Sequence, residues 1–204
     1  MIDKTRNIHP IFDNILNRSD REKLLNQHST VVWITGLSCS GKSTIAKALE
    51  IELHRRGFIT NLLDGDNVRT GLNNNLGFSD EDRKENIRRI AEVSKLFLES
   101  GIILINSFIS PTYIIRNQVK DIVGVEDYFE IYVNTSIRTC EKRDTKGIYA
   151  KARKGLIKEF TGISAPYEVP VNPDVEIRTE DISLAESVEL ILNKLLPRIE
   201  FKDI

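Results

Sequence analysis

Cysteine is scarce in this chain. Cys39 and Cys140 are the only two among 204 residues. They lie far apart, so there is neither a disulfide framework nor a metal-ligand spacing. Long hydrophobic runs are missing as well. None approaches the ~20 residues of a membrane span. Lys4, Arg6, His9 and Asp13 leave no signal-peptide core near the N-terminus. Charge of one sign is also lacking. Lys and Arg total 29 against 30 Asp and Glu, a net charge of −1, so no basic field argues for nucleic acid or an anionic membrane. Internal repeats and low-complexity segments are absent. What remains is a globular protein expected in a reducing cytoplasm. With 40% hydrophobic residues, it is long enough for one sizeable core.

The most informative stretch runs from Val31 to Arg56. VVWITG reads as a buried strand, LSCSGKS as a glycine-rich turn, and TIAKALEIELHRR as a helix. Gly36, Gly41, Lys42 and Ser43 fit G-x-x-x-x-G-K-[ST], the phosphate-binding P-loop. Glycines let the backbone fold tightly and aim N–H groups at phosphate oxygens. The helix that follows presents its positive dipole end to the same anion. Lys42 would reach the β- and γ-phosphates, and the Ser43 hydroxyl would hold Mg²⁺. The predicted triphosphate site, which the resemblance described below makes an ATP site, is Gly36, Leu37, Ser38, Cys39, Ser40, Gly41, Lys42, Ser43 and Thr44.

The flanking chain is read in order. Residues 1–29 form an N-terminal helical extension, with Ile8, Ile11, Phe12, Ile15 and Leu16 leaning on the main domain and a further helical turn over Ser19 to Asn26. Residues 30–204 form the P-loop domain. Phe58 to Leu63 is a strand ending in Asp64-Gly65-Asp66. That is either a plain turn or a pair of carboxylates at the strand end where α/β sheets bind ligands. Ser79 to Asp82 resembles a capping box with Asp in place of Glu, opening a helix to about Glu99. Arg83 and Asn86 share a face near its start. Periodicity alone favours a solvated face there. Ile102 to Asn106 is a strand followed by Ser107-Phe108-Ile109-Ser110-Pro111. Its serines either meet a ligand or cap the next helix, with Pro111 in the first turn. Tyr128 to Val133, Val175 to Ile177 and a helix over Ala185 to Leu196 complete the pattern.

Arg138 to Lys158 carries a local charge of +6. Such a run is either a solvated helical surface or a lid closing on a triphosphate. The expected fold class is α/β: a P-loop, nucleoside-triphosphate-hydrolase-like three-layer fold. It has a central parallel sheet of about five strands and a basic lid.

GLSCSGKST, LDGDNVR, GLNNNLGFSDEDRKENIRRIAEV, SFISP, CEKRDTKGIYAKAR and FTGISAPYE stand in the order and spacing of adenylyl-sulfate kinase. The resemblance covers about Asn7 to Leu196. It implies γ-phosphoryl transfer from ATP, with Mg²⁺, to the 3′-hydroxyl of adenosine 5′-phosphosulfate in sulfate assimilation. It also implies a homodimer and a separate sulfate adenylyltransferase upstream. Carried over by position, Asp66 resembles the group facing the 3′-hydroxyl, and Asp64 lies toward the metal and its waters. Arg69, Arg83 and Asn86 resemble a clamp on the phosphosulfate and ribose, and Phe78 an aromatic stacked on the acceptor adenine. Ile109, Ser110, Lys151, Phe160, Gly162 and Ile163 match further acceptor or lid positions, and Arg143 lies near the ATP base or phosphates. Ser110 matches a candidate phosphoserine intermediate. Four positions depart from the family pattern: Cys39 replaces a glycine, Thr70 a histidine and Tyr113 an arginine, although Arg116 matches, and Glu159 is an unusual neighbour of Phe160. Alternative readings are a relative acting on another nucleotide-like anion, or a nucleotide-binding regulatory protein without useful turnover.

Overall fold

The computed structural model describes residues 8–11 and 14–201. Its elements are α1 (Arg18–Leu25), β1 (Val31–Gly36), α2 (Lys42–Arg55), β2 (Thr60–Asp64), α3 (Gly65–Val68), α4 (Asp80–Glu99), β3 (Ile103–Ser107), α5 (Tyr113–Val123), β4 (Tyr128–Asn134), α6 (Ile137–Lys142), α7 (Ile148–Arg153), β5 (Val175–Arg178) and α8 (Leu184–Ile199). The five strands form one parallel sheet in the order β2-β3-β1-β4-β5. Parallel pairing needs crossover connections, and these bring helices to both faces. The three-layer expectation from the sequence is met.

Alternation along β1 divides the core. Val32 and Ile34 face the side covered by α2 and α8, where Ile45, Leu49, Leu53, Ile191 and Leu195 are buried. Val31 and Trp33 face the side covered by α4 and α5, with Ile87, Ile90, Ile115 and Val119. Every residue of β1 is buried, so the strand shows no polar face in sequence. Truncating a fully buried residue such as Leu49 should cost about 2–5 kcal/mol.

The strand ends set the site. In register, Asp64 of β2 pairs with Ser107 of β3, and Ser107 with Ile34 of β1. The order also reverses at β1, which lies between β3 and β4. Clefts at such reversals, beyond the carboxyl ends of strands, are where open α/β sheets hold ligands.

Three local expectations are corrected. Ile8, Ile11, Ile15 and Leu16 are exposed and not in an α-helix, and Phe12 lies outside the described residues. The docked helix is α1, whose Asn17 and Asp20 form a capping box. Asn17 and Asp20 exchange local hydrogen bonds that the apolar side chains of Ile8, Ile11, Ile15 and Leu16 cannot supply. Ser79 does cap α4, but Asp82 does not return the bond. Its carboxylate accepts from Gly77 N–H instead. Thr112, not Pro111, borders α5, its hydroxyl accepting from Ile115 N–H. Among the described residues no helix is long and apolar enough to cross a membrane.

Candidate active site

The P-loop joins β1 to α2 under close contact. A Cβ on Gly36 would lie 2.7 Å from the Val133 carbonyl oxygen and 2.9 Å from Ser40 Oγ, so no side chain fits there. Lys42 is buried and its Nζ donates to the Leu37 carbonyl at 2.7 Å. Burial pushes its pKa down to about 8, against the opposing pull of nearby groups that include Asp64 and Asp66. Ser43 Oγ donates to Asp64 Oδ2 at 2.6 Å and lies 3.4 Å from Ser107 Oγ. Asp64 Oδ1 accepts from the Asp66 N–H. Asp66 Oδ2 in turn accepts from Lys146 Nζ at 2.7 Å. A continuous chain of polar contacts thus runs from the P-loop through the end of β2 to the basic stretch.

Beside Lys42 and Thr44 opens a cavity of about 460 Å³ whose far wall is Arg143, Thr179 and Ile182. Arg143 is fixed there by bonds to Thr179 Oγ1 (2.7 Å) and the Thr179 carbonyl (3.0 Å). The Arg138–Lys158 stretch folds over the P-loop. Tyr149 Oη donates to the Ser38 carbonyl at 2.9 Å. Phe160 meets Tyr149 edge-on at 4.9 Å. Leu37, Cys39, Cys140, Tyr149, Phe160 and Ile163 pack as one small cluster. Gly162 completes this contact at φ +88, where a Cβ would lie 2.9 Å from Leu37 Cδ2. Cys39, where the sequence resemblance implies a glycine, has φ +59, the left-handed conformation that glycine adopts without cost.

On the opposite flank, Arg69 donates to the Leu76 and Gly77 carbonyls. Its guanidinium lies 4.4 Å from the centroid of the Phe78 ring, which is 64% exposed. Burial, and then the charge of neighbouring Arg83, lower the Arg69 pKa. Arg83 donates to Phe78 O, Thr161 Oγ1 and Glu159 O. The hydrogen bonds of both guanidiniums run to neutral oxygens, with Asp82 and Asp66 acting on Arg69 only through their charge. Asn86 is 5% exposed and its Oδ1 accepts from Asn73 Nδ2 at 2.9 Å. The solvated face that periodicity favours for Arg83 and Asn86 is therefore corrected. Tertiary contacts from the 159–161 segment and from Asn73 capture both side chains.

Ile109 is half-buried, its carbonyl accepting from Thr35 Oγ1 at 2.6 Å. Ser110 is buried with φ +42. Its Oγ accepts from Trp33 Nε1–H at 3.0 Å, and its carbonyl from Arg116 Nη1 at 2.9 Å. Lys151 stands exposed on α7. Lys146, five residues earlier, is the lysine that reaches Asp66. Sequence reasoning did not single out Lys146, Asn73, Trp33 or Tyr149. Lys146 was legible only as one of eight charges in the basic run.

Comparisons with known proteins identify the family of the chain. Residues 28–178 match the family model for adenylylsulphate kinase. The chain is 59% identical to an adenylyl-sulfate kinase of Bacteroides thetaiotaomicron over 98% of this chain and 100% of that one. It is 53% identical to an adenylyl-sulfate kinase of Clostridium kluyveri, covering 92% of each. Among solved structures, the Mycobacterium tuberculosis APS kinase in complex with AMPPNP and APS aligns at a TM-score of 0.79. Identity there is 42%, over 83% of this chain and 98% of that one. The chain belongs to the adenylyl-sulfate kinase family of phosphotransferases.

Proposed function

We propose that this protein transfers the γ-phosphoryl group of ATP to the 3′-hydroxyl of adenosine 5′-phosphosulfate, giving 3′-phosphoadenosine 5′-phosphosulfate. The observation that carries the reading is the unbroken contact chain Ser43–Asp64–Asp66–Lys146. It joins a triphosphate-binding loop to an acceptor-side carboxylate and a lid cation, which are the parts in-line phosphoryl transfer requires.

P-loop N–H groups and Lys42 bind the β- and γ-phosphates, and Arg143 closes the nucleotide cavity. Ser43 Oγ and Asp64, two oxygen donors 2.6 Å apart, suit Mg²⁺, which is held by few protein oxygens together with phosphates and water. When bound, Mg²⁺ would neutralise charge on the β- and γ-phosphate oxygens. Arg69 and Arg83 offer fixed cations to the phosphosulfate, with Asn86 beside them. Phe78 gives the adenine a stacking face, and Phe160 with Gly162 and Ile163 closes the pocket from the lid side. Asp66 orients the 3′-hydroxyl and takes its proton as the 3′-oxygen bonds to the γ-phosphorus. The bond to the bridging oxygen breaks, and ADP leaves. Lys146 and Lys42 stabilise the charge spread over the transferring oxygens. Ser110 is assigned to holding its turn rather than to carrying phosphate: it is 2% exposed, its Oγ accepts from Trp33, and direct transfer needs no covalent enzyme.

The same reading makes residues 1–29 an extension of a kinase domain spanning 30–204, and the working form a cytoplasmic homodimer. The acceptor would be supplied by a reaction that adenylates sulfate. Product identification tests the proposal. Label on the γ-phosphorus of MgATP should move to the 3′-position of the acceptor. Label held on the protein, or released only as phosphate, would contradict it.

A further inference from the structure

Glu130 is the one acidic residue in β4, and it is 4% exposed. A carboxylate inside a parallel sheet needs a partner. Arg116 of α5, 2% exposed, lies with Nε 3.4 Å from Glu130 Oε1. Tyr128 Oη donates to the same oxygen at 3.1 Å, and Lys120 Nζ lies 3.4 Å from Oε2. Arg116 does more than neutralise this charge. Nη1 donates to the Ser110 carbonyl at 2.9 Å and Nη2 to the Glu168 carbonyl at 2.8 Å. One planar fork therefore grips the turn after β3 and the segment returning from the lid.

The two segments are joined elsewhere too. Glu168 N–H donates to the Pro111 carbonyl at 2.8 Å. The Glu168 carboxylate accepts from the Tyr113 N–H. Thr35 Oγ1 donates to the Ile109 carbonyl and lies 3.0 Å from Tyr167 Oη. Ser110 itself sits at φ +42, a conformation that a serine keeps only when its surroundings impose it. Arg116 and Trp33 supply that constraint.

We infer that Arg116, charge-balanced by Glu130, is a positioning residue for the acceptor: it holds the left-handed Ser110 turn and ties it to the lid's return segment. Ammonium cannot replace it, because a lysine lacks the fork that spans two carbonyls. The inference rests on the acceptor reading of this turn and adds a residue that touches neither substrate.

Steady-state kinetics and melting curves on Arg116→Met, Arg116→Met/Glu130→Gln and Arg116→Lys test it. Arg116→Met leaves Glu130 buried without its partner and should melt lower. The double variant removes that charge while Gln still accepts from Tyr128, so it should recover most of the melting temperature. Its acceptor KM should nevertheless stay at least tenfold raised, with the KM for ATP within twofold of wild type. Arg116→Lys should show the same split. Recovery of the acceptor KM together with the melting temperature would reduce Arg116 to a structural role and overturn the inference. So would wild-type acceptor KM in Arg116→Lys, or equal losses for both substrates. If Arg116→Met does not fold, the other two variants decide. The wild-type assay separates the two levels. A wild type that fails to phosphorylate adenosine 5′-phosphosulfate overturns the proposed function and this inference together. An active wild type with variants of unchanged acceptor KM overturns the inference alone.

Discussion

Lys146 places its ammonium nitrogen 2.7 Å from Asp66 Oδ2, linking the basic stretch to the end of β2. Both side chains are largely exposed, at 69% and 79%. An exposed pair is a weak, salt-screened tie, suited to a lid that must open. Hydrogen bonding to Asp66, and its charge, raise the Lys146 pKa, so the cation persists throughout the neutral range. Lys146→Met should lower kcat and speed limited proteolysis within residues 143–158. Unchanged cleavage and unchanged kcat would remove the lid contact from the account.

Lys42→Ala should lower kcat by about 10²–10³-fold, the usual cost of removing one preorganised donor from developing charge. The circular dichroism spectrum should be unchanged, because the chain contacts of Lys42 end at one carbonyl. Near-normal turnover would contradict its role at the γ-phosphate.

Phe78→Ala removes the exposed ring under Arg69. The acceptor KM should rise by the equivalent of ~1–3 kcal/mol, the range for base–aromatic stacking, with little change for ATP. Equal losses for both substrates would refute the stacking assignment.

Glu159 has φ +53, and Arg83 Nη2 holds its carbonyl at 2.7 Å. Glu159→Gly should relieve left-handed strain of about 1–2 kcal/mol while adding unfolded-state entropy of about 0.5–1 kcal/mol, a net gain of up to about 1.5 kcal/mol. Glu159→Ala keeps the strain and should not raise the melting temperature. If Ala stabilises as much as Gly, strain is not the cause.

Glu22 of α1 sets an acid limit on stability. Burial opposes its ionisation, but hydrogen bonds from Ser29 Oγ, Ser29 N–H and Arg18 outweigh it and hold the carboxyl below its usual value of 4.5. The folded pKa is depressed, so this stabilisation is present above about pH 4.5 and is lost as pH falls through the folded value. Melting temperature against pH should therefore fall less steeply below pH 4.5 in Glu22→Gln than in wild type. Parallel curves would refute it.

Much of the fold was legible because its signals are local. The apolar run Val31–Thr35, the glycine spacing of the loop and the 3.6-residue pattern of α4 each name an element and its place. The P-loop was legible for the same reason. What escaped depends on tertiary contact. Ile8, Ile11, Ile15 and Leu16 look like a buried face, yet they are exposed, while polar α1 docks through Arg18–Asp127 and Arg21–Glu99 bonds. Asn86 is polar in sequence but buried, because Asn73 reaches it from a loop thirteen residues earlier. Glu130 did carry a readable signal, a lone carboxylate in an apolar strand, though its partner Arg116 could not be named without the sheet.

The most direct measurement is the initial rate of phosphoryl transfer from MgATP to adenosine 5′-phosphosulfate, adenylate, cytidylate and no acceptor, for wild type and Asp66→Asn. The account predicts rapid 3′-phosphorylation of the phosphosulfate only, and its near-loss in Asp66→Asn with MgATP binding retained. Faster transfer to another acceptor, or full activity in Asp66→Asn, would contradict it.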